Sequence, residues 1–75
     1  MEEAIISIVR EIGDVGKVAK DDHLIDNLGF DSLKLLFLIS KVESTFHIVI
    51  KDHDLDIVNF LSVTAIVNLV KKYQG

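Results

Sequence analysis

The sequence of 75 residues contains no cysteine and no proline, and it has only four glycines. Without cysteine, the chain can form neither a disulfide nor a cysteine-ligated zinc site. The scarcity of proline and glycine suits helices that are interrupted at only a few points. Because 49% of the residues are hydrophobic, we expect one domain over residues 1–75, held together by a small apolar core.

Positive charge is also scarce, since eight lysines and arginines face twelve acids and give a formal net charge of -4. An acidic chain is a poor ligand for nucleic acid, which needs a basic surface. No apolar run approaches the roughly 18 residues of a membrane span, and no signal-peptide pattern opens the chain. We therefore expect no nucleic acid, no membrane association and a location in the cytoplasm.

Apolar residues recur at helical spacing in three stretches, residues 3–12, 32–46 and 63–73. Asp31 and Ser62 are good N-caps for the second and the last of these helices. Asp56 can cap a short helix over residues 57–61, whereas the apolar run at 48–50 has no second strand to pair with. The sequence thus predicts an all-α four-helix bundle with three main helices and a short third helix.

The first connection, residues 14–31, is long for so small a domain. Gly13 is a natural end for the first helix, and Gly29 allows a tight turn into the second. Apolar anchors occur throughout the connection, which predicts that it is ordered and packed over the helices: Val15, Val18, Leu24, Ile25, Leu28 and Phe30.

The second helix has apolar residues on two sides. One side forms a stripe of about 100°, the width of a core-facing surface: Leu35, Leu38, Ile39, Val42 and Phe46. The other side carries Leu33, Leu36 and Phe37 among polar residues. Either the long connection covers this second side, or it is an exposed contact surface next to Ser32.

The run Leu28-Gly29-Phe30-Asp31-Ser32-Leu33 resembles the attachment motif of acyl and peptidyl carrier proteins, Leu-Gly-any-Asp-Ser-Leu. In that family the motif stands at the start of the second of four helices, as it does here. The resemblance covers nearly the whole chain, including the long first connection, the run Phe46-His47-Ile48 and the Ser62-Val63 start of the last helix.

The resemblance implies a carrier protein that is not itself an enzyme. It implies that a phosphopantetheinyl transferase attaches 4'-phosphopantetheine covalently to Ser32, with Gly29, Asp31 and Leu33 forming the surrounding motif. Cargo is then held as a thioester on the thiol of this arm. A phosphodiester at Ser32 would lie near the positive end of the helix dipole, and Asp31 would cap the helix.

The resemblance also implies that partner enzymes dock on the second helix, namely an adenylating or acyl-loading enzyme and downstream synthase, condensing or tailoring enzymes. We expect the partner face to comprise Leu33, Lys34, Leu36, Phe37, Ser40 and Lys41. Fatty-acid carriers usually have an acid directly after the motif and more acids along this helix, whereas Lys34 and Phe37 stand there in this chain. We therefore favour a stand-alone, monomeric acyl or aminoacyl carrier of polyketide, nonribosomal peptide or related secondary metabolism over a fatty-acid carrier.

Other chemistry fits the sequence less well. Asp52, Asp54 and Asp56 match three positions of a calcium-binding loop, but Ile57 stands where the loop needs glycine and Val63 where it needs glutamate, so we predict no metal. Ser32 has no nucleophile-elbow motif around it, and four short helices leave little room for a substrate pocket. The remaining alternative is a helical interaction module without a prosthetic group.

Overall fold

The computed structural model describes residues 1–74 and contains three α-helices, α1 (Glu2–Gly13), α2 (Ser32–Phe46) and α3 (Val63–Gln74). Two 3₁₀ turns, Asp52–Asp54 and Ile57–Phe60, lie between α2 and α3. Residues 1–74 form no β-strand, and the predicted all-α fold is confirmed. The expected short third helix is the second 3₁₀ turn and ends at Phe60, one residue early, while the sequence pattern did not indicate the first turn.

Side chains that satisfy first-turn N–H groups mark the starts of α2, of the second 3₁₀ turn and of α3. Asp31 Oδ1 accepts a hydrogen bond of 2.9 Å from the Lys34 N–H and caps α2. Asp56 Oδ1 accepts one of 3.2 Å from the Val58 N–H, and Ser62 Oγ accepts one of 3.1 Å from the Ala65 N–H. All three predicted caps are therefore confirmed.

The core lies where α1 packs against both α2 and α3. On α2, Leu35, Leu38 and Val42 are buried, while Ile39 and Phe46 are partly buried against the same cluster. This confirms the core stripe expected from the sequence. The second 3₁₀ turn packs on α3 and contributes Phe60, which is 1% exposed. No helix within residues 1–74 is both long enough and apolar enough to cross a bilayer.

The long connection is ordered, as expected, and backbone hydrogen bonds fix its path. The Leu24 N–H donates to the Leu61 carbonyl at 2.9 Å, and the Leu24 carbonyl accepts from the Phe30 N–H at 2.9 Å. Near its middle, the Lys20 carbonyl accepts from the Thr64 N–H at 3.2 Å. These bonds tie the connection to the start of α3 and to the residues just before α2.

Gly13 ends α1, as expected, and it has a second role in packing. It is the last residue of α1, but the following residue, Asp14, adopts the left-handed conformation with φ 52° and acts as the C-cap. A Cβ atom on Gly13 would lie 2.7 Å from Cε1 of Phe30, whose ring is buried. Glycine at this position therefore allows the connection to pack closely on α1.

The chain leaves α2 through His47, which is the C-cap residue of this helix. His47 is left-handed with φ 56°, and its N–H donates to the Glu43 carbonyl. Glu43 also holds the following segment, because its Oε2 accepts from the Ile50 N–H at 2.8 Å. The apolar run at 48–50 thus returns to the core through Ile50, with Val49 exposed between its two neighbours.

Candidate functional site

Ser32 is the first residue of α2 and is exposed. The preceding residue, Asp31, is extended (φ -117°, ψ -176°) and directs its carboxylate back onto the helix start. Two residues earlier, Gly29 has φ +72°, a conformation that side chains rarely adopt. Between them the buried Phe30 fixes the turn in the core. The motif residues therefore form a rigid support that presents the Ser32 hydroxyl to solvent.

The start of α2 suits an anionic group. Asp31 accepts a hydrogen bond from the Lys34 N–H through its side chain and another from the Leu35 N–H through its carbonyl. Within residues 1–74, the Ser32 and Leu33 N–H groups have no acceptor from the chain. Free N–H groups and the helix dipole both favour a phosphate ester at such a position. The residues present thus fit a phosphodiester on Ser32 Oγ without rearrangement of the backbone.

An apolar groove of about 240 Å³ begins at Ser32. One side of it is α2, through Leu35, Leu36 and Ile39. The opposite side, which we call the groove wall, consists of three residues on and before the second 3₁₀ turn: Leu55, Ile57 and Phe60. The sequence analysis did not identify this wall, because its residues lie more than 20 positions from Ser32 and show no periodic pattern that relates them to α2.

The second apolar side of α2 is exposed. Leu33, Leu36 and Phe37 retain 59%, 63% and 57% of their exposure, so the long connection does not cover them. Ser40 and Lys41 are also exposed on this helix, whereas Lys34 is partly buried. The structure therefore supports the alternative in which this side is a contact surface. We call Leu33, Leu36 and Phe37 the apolar face.

The charge of α2 is unusual for a chain that is acidic as a whole. Among the residues of α2 only Glu43 is acidic, whereas Lys34 and Lys41 are basic. Glu43 is partly buried and its carboxylate is engaged with the Ile50 N–H. Within residues 1–74, neither lysine has an acid within ion-pair distance. The apolar face thus has little negative charge beside it.

A polar cluster on the far side of the groove wall was missed by the sequence analysis. Asp54 is the only buried charged side chain within residues 1–74, with 6% exposed. Its Oδ1 lies 2.8 Å from Lys72 Nζ, its Oδ2 accepts from the Tyr73 hydroxyl at 2.6 Å, and His53 Nε2 is 3.4 Å from Oδ2. Lys72 and Tyr73 are 18 and 19 residues away from Asp54, so spacing in the sequence could not reveal them.

Asp54 and Lys72 are both charged at neutral pH. Hydrogen bonds from Lys72 and then Tyr73 hold the pKa of Asp54 below its ordinary value, against the effect of burial. The hydrogen bond to Asp54 raises the pKa of Lys72. Burial, followed by the hydrogen bond to Asp54, raises the pKa of Tyr73. The described part of the chain has no group of three or more His, Asp or Glu side chains that could hold a metal ion.

An exposed serine at a helix start, on a small helical bundle and beside an apolar face, is the arrangement expected of a protein that carries a covalent group for others. Comparison with known proteins agrees with this class. The sequence model of the phosphopantetheine attachment site matches residues 3–70. The fold is similar to the solved structure of a protein assigned as an acyl carrier protein from Mycobacterium tuberculosis. The two chains are 35% identical over 93% of each, with a TM-score of 0.80.

The chain belongs to the phosphopantetheine-binding carrier family. It is a carrier protein with covalently attached 4'-phosphopantetheine, and it is a substrate of partner enzymes and not an enzyme itself. Proteins of this family interact with a phosphopantetheinyl transferase and with enzymes that handle acyl groups. The resemblance inferred from the run at 28–33 is therefore confirmed.

Proposed function

We propose that Ser32 Oγ is the attachment point of the arm and that residues 1–75 act as one carrier domain. The observation that supports this most directly is the position of Ser32 as the exposed first residue of α2, capped by Asp31. The arm, when bound, supplies the thiol on which cargo is held as a thioester. The chain supplies none itself, since it has no cysteine.

The residues around Ser32 have separable roles in this proposal. Gly29 and Phe30 fix the turn, so that the serine hydroxyl stays at a constant distance from the bundle. Asp31 accepts a hydrogen bond from the Lys34 N–H in the first turn, and the free N–H groups of Ser32 and Leu33 stabilise the phosphodiester charge. The groove beside Ser32 offers apolar contact to the arm or to a small apolar cargo.

The apolar face is the proposed docking surface for the transferase, for an adenylating or acyl-loading enzyme and for downstream synthase, condensing or tailoring enzymes. Fully burying a Leu or Phe side chain contributes about 1.5–3 kcal/mol, whereas an exposed ion pair contributes ~0–1 kcal/mol. Leu33, Leu36 and Phe37 therefore supply most of the affinity. Ser40 and Lys41, with the partly buried Lys34, form the polar edge of the surface.

We propose secondary metabolism as the pathway, with acyl or aminoacyl cargo, ahead of fatty-acid synthesis. Support comes from the scarcity of acids on α2, because the fatty-acid carriers that the chain resembles present several acids there to basic partners. Lys34 follows the motif directly, and the one acid of α2, Glu43, is engaged within the chain. A location in the cytoplasm and a monomeric, stand-alone state remain predictions from the sequence.

Intact mass spectrometry tests the attachment site. The protein is incubated with coenzyme A and a broad-specificity phosphopantetheinyl transferase, in parallel with Ser32→Ala and with Ser40→Ala. Ser40 is an exposed serine of the same helix, so it controls for nonspecific modification. We expect one phosphopantetheine mass on the wild type and on Ser40→Ala, and none on Ser32→Ala. Equal modification of Ser32→Ala would refute the assignment, and no modification of the wild type would favour an interaction module.

A further inference from the structure

The segment that contains the groove wall is attached to α3 by polar contacts. The Asp54 carboxylate binds Lys72 and Tyr73, and the Tyr73 hydroxyl also accepts from the Lys51 N–H at 2.8 Å. The main chain of Asp54 is engaged as well, because its carbonyl accepts a hydrogen bond of 2.9 Å from the Asn59 side-chain amide. A single residue thus joins the end of α3 to both 3₁₀ turns.

The wall residues themselves are weakly held. Leu55 and Ile57, which lie between Asp54 and Asn59, are 44% and 51% exposed, so burial does not determine where they lie. The second 3₁₀ turn packs against α3 more closely than against α2. Only Phe60 fixes the wall in the core. Besides Phe60 and the hydrogen bonds within the turns, the attachment of Asp54 to α3 is what joins this segment to the bundle.

We propose that Asp54 is a positioning residue, which holds Leu55 and Ile57 at the distance from α2 that lets a small apolar acyl chain on the arm lie in the groove. The inference rests on the proposed attachment at Ser32. Asp54 does not touch the arm in this proposal, and it acts only through the wall. Partly buried hydrogen bonds to charged groups suit such a role, because they are directional and strict in their distance.

The low pKa of Asp54 and the raised pKa of Lys72 agree with this role. They keep the carboxylate and the ammonium group charged at neutral pH, so the attachment is intact whenever the carrier operates. The other groups that face the carboxylate are His53, from the same 3₁₀ turn, and Tyr73, from α3.

A purely structural role would stabilise the whole bundle, whereas a positioning role acts on residues 51–60 and the groove. Two variants separate these cases, Asp54→Asn and the milder Tyr73→Phe, which removes only the hydroxyl shared with Lys51. Asp52→Asn is the matched control, because Asp52 is an exposed acid of the same 3₁₀ turn. Each protein is loaded by the transferase from acetyl-coenzyme A or octanoyl-coenzyme A, and intact mass verifies the loading.

Two measurements follow on each loaded protein. Methyl NMR compares the acetyl and octanoyl forms at Leu55 and Ile57. Amide hydrogen exchange then compares residues 51–60 with α1 and α2. In the wild type and Asp52→Asn we expect the octanoyl chain to shift the Leu55 and Ile57 methyl resonances. In both test variants we expect those shifts to be largely lost and exchange in 51–60 to rise roughly tenfold, with α1 unchanged.

The outcomes are distinguishable. Failure of the wild type to gain the arm would overturn the proposed function itself. If the arm is attached but the octanoyl chain does not shift the methyl resonances of Leu55 and Ile57, only this inference is overturned. Test variants that behave like Asp52→Asn would overturn it as well, as would faster exchange spread evenly over α1, α2 and residues 51–60. If Asp54→Asn does not fold, Tyr73→Phe alone decides the question.

Discussion

Two leucines of α2, two positions apart in the chain, should differ in how much stability the protein loses when each is truncated to alanine. Leu38 has no exposed surface and lies in the core, whereas Leu36 is 63% exposed on the apolar face. Truncating a buried leucine to alanine costs about 2–5 kcal/mol through lost transfer energy and the cavity that remains. A surface change of the same kind is usually worth less than ~0.5 kcal/mol. The helix preferences of leucine and alanine differ little, so the contrast isolates burial.

The expected loss is large for a protein of this size. Native domains are stable by roughly 0.05–0.15 kcal/mol per residue, which gives about 4–11 kcal/mol for this chain. Leu38→Ala should therefore remove a substantial share of the free energy of unfolding. For a domain of 60–100 residues, each kcal/mol lowers Tm by about 4–8 °C, so Tm should fall by about 10 °C or more.

Urea unfolding followed by far-UV circular dichroism measures both variants against the wild type. The midpoint should fall for Leu38→Ala and stay close to the wild-type value for Leu36→Ala. Binding to a cognate loading enzyme supplies the complementary result, because Leu36→Ala should weaken docking while leaving stability intact. Equal destabilisation by the two substitutions, or none by Leu38→Ala, would show that the facing of α2 is wrong.

The remaining predictions concern docking, pH and packing. Phe37→Ala should weaken a cognate loading enzyme roughly tenfold or more in a binding titration, and added salt should have little effect, since apolar burial is not screened. The lowered pKa of Asp54 means that its contribution to stability is complete above its ordinary pKa of 3.8 and is lost as the pH falls below that value. In urea unfolding measured over a range of acidic pH, Asp54→Asn should therefore show a smaller loss of stability with falling pH than the wild type. Gly13→Ala should cost about 1–3 kcal/mol in urea unfolding through overlap with Phe30, whereas Gly16→Ala should not.

Controls sharpen these three results. Ser44→Ala changes an exposed residue of the same helix as Phe37, outside the proposed docking surface, and should leave affinity unchanged, while a steep loss of affinity with salt would show that charge dominates docking. For the pH series, Asp52→Asn removes an exposed acid and should keep the acid dependence of the wild type.

At alkaline pH, the raised pKa of Lys72 means that its contribution to stability is complete below its ordinary pKa of 10.5 and declines as the pH rises past that value. Gly16 has open space around it, and a loss as large as that of Gly13→Ala would refute the overlap.

The helices and their caps were accessible from the sequence because local chemistry determines them. Apolar periodicity gave α2 its bounds, and a single carboxylate at Asp31 fixes where α2 begins. The exposure of Leu36 was more difficult, since periodicity shows that a helix has two apolar sides but not whether a connection covers one. Only the path of the long connection, tied by Leu24 to Leu61, decided that the side is open.

The groove and the Asp54 cluster were beyond local patterns. Leu55 and Ile57 approach α2 only through the three-dimensional path of residues 47–60, and a 3₁₀ turn of three residues has no period to detect. Asp54 was considered as part of a calcium loop because its neighbours share that spacing. Its actual partners on α3 are remote in sequence. Gly13 shows the same limit, because its close neighbour Phe30 lies 17 residues further along the chain.

Main-chain hydrogen bonds, together with the buried Leu24 and Phe30, hold the long connection, and this has a consequence for redesign. The hydrogen bonds that join Leu24 to Leu61 and Phe30, and Lys20 to Thr64, use N–H and carbonyl groups that every residue except proline possesses. Exposed side chains of the connection that make no hydrogen bond or ion pair among the described residues, such as Lys17 and Lys20, can therefore be exchanged without altering the path of the backbone. New recognition elements could be grafted at these positions to direct the carrier toward enzymes that it does not naturally serve.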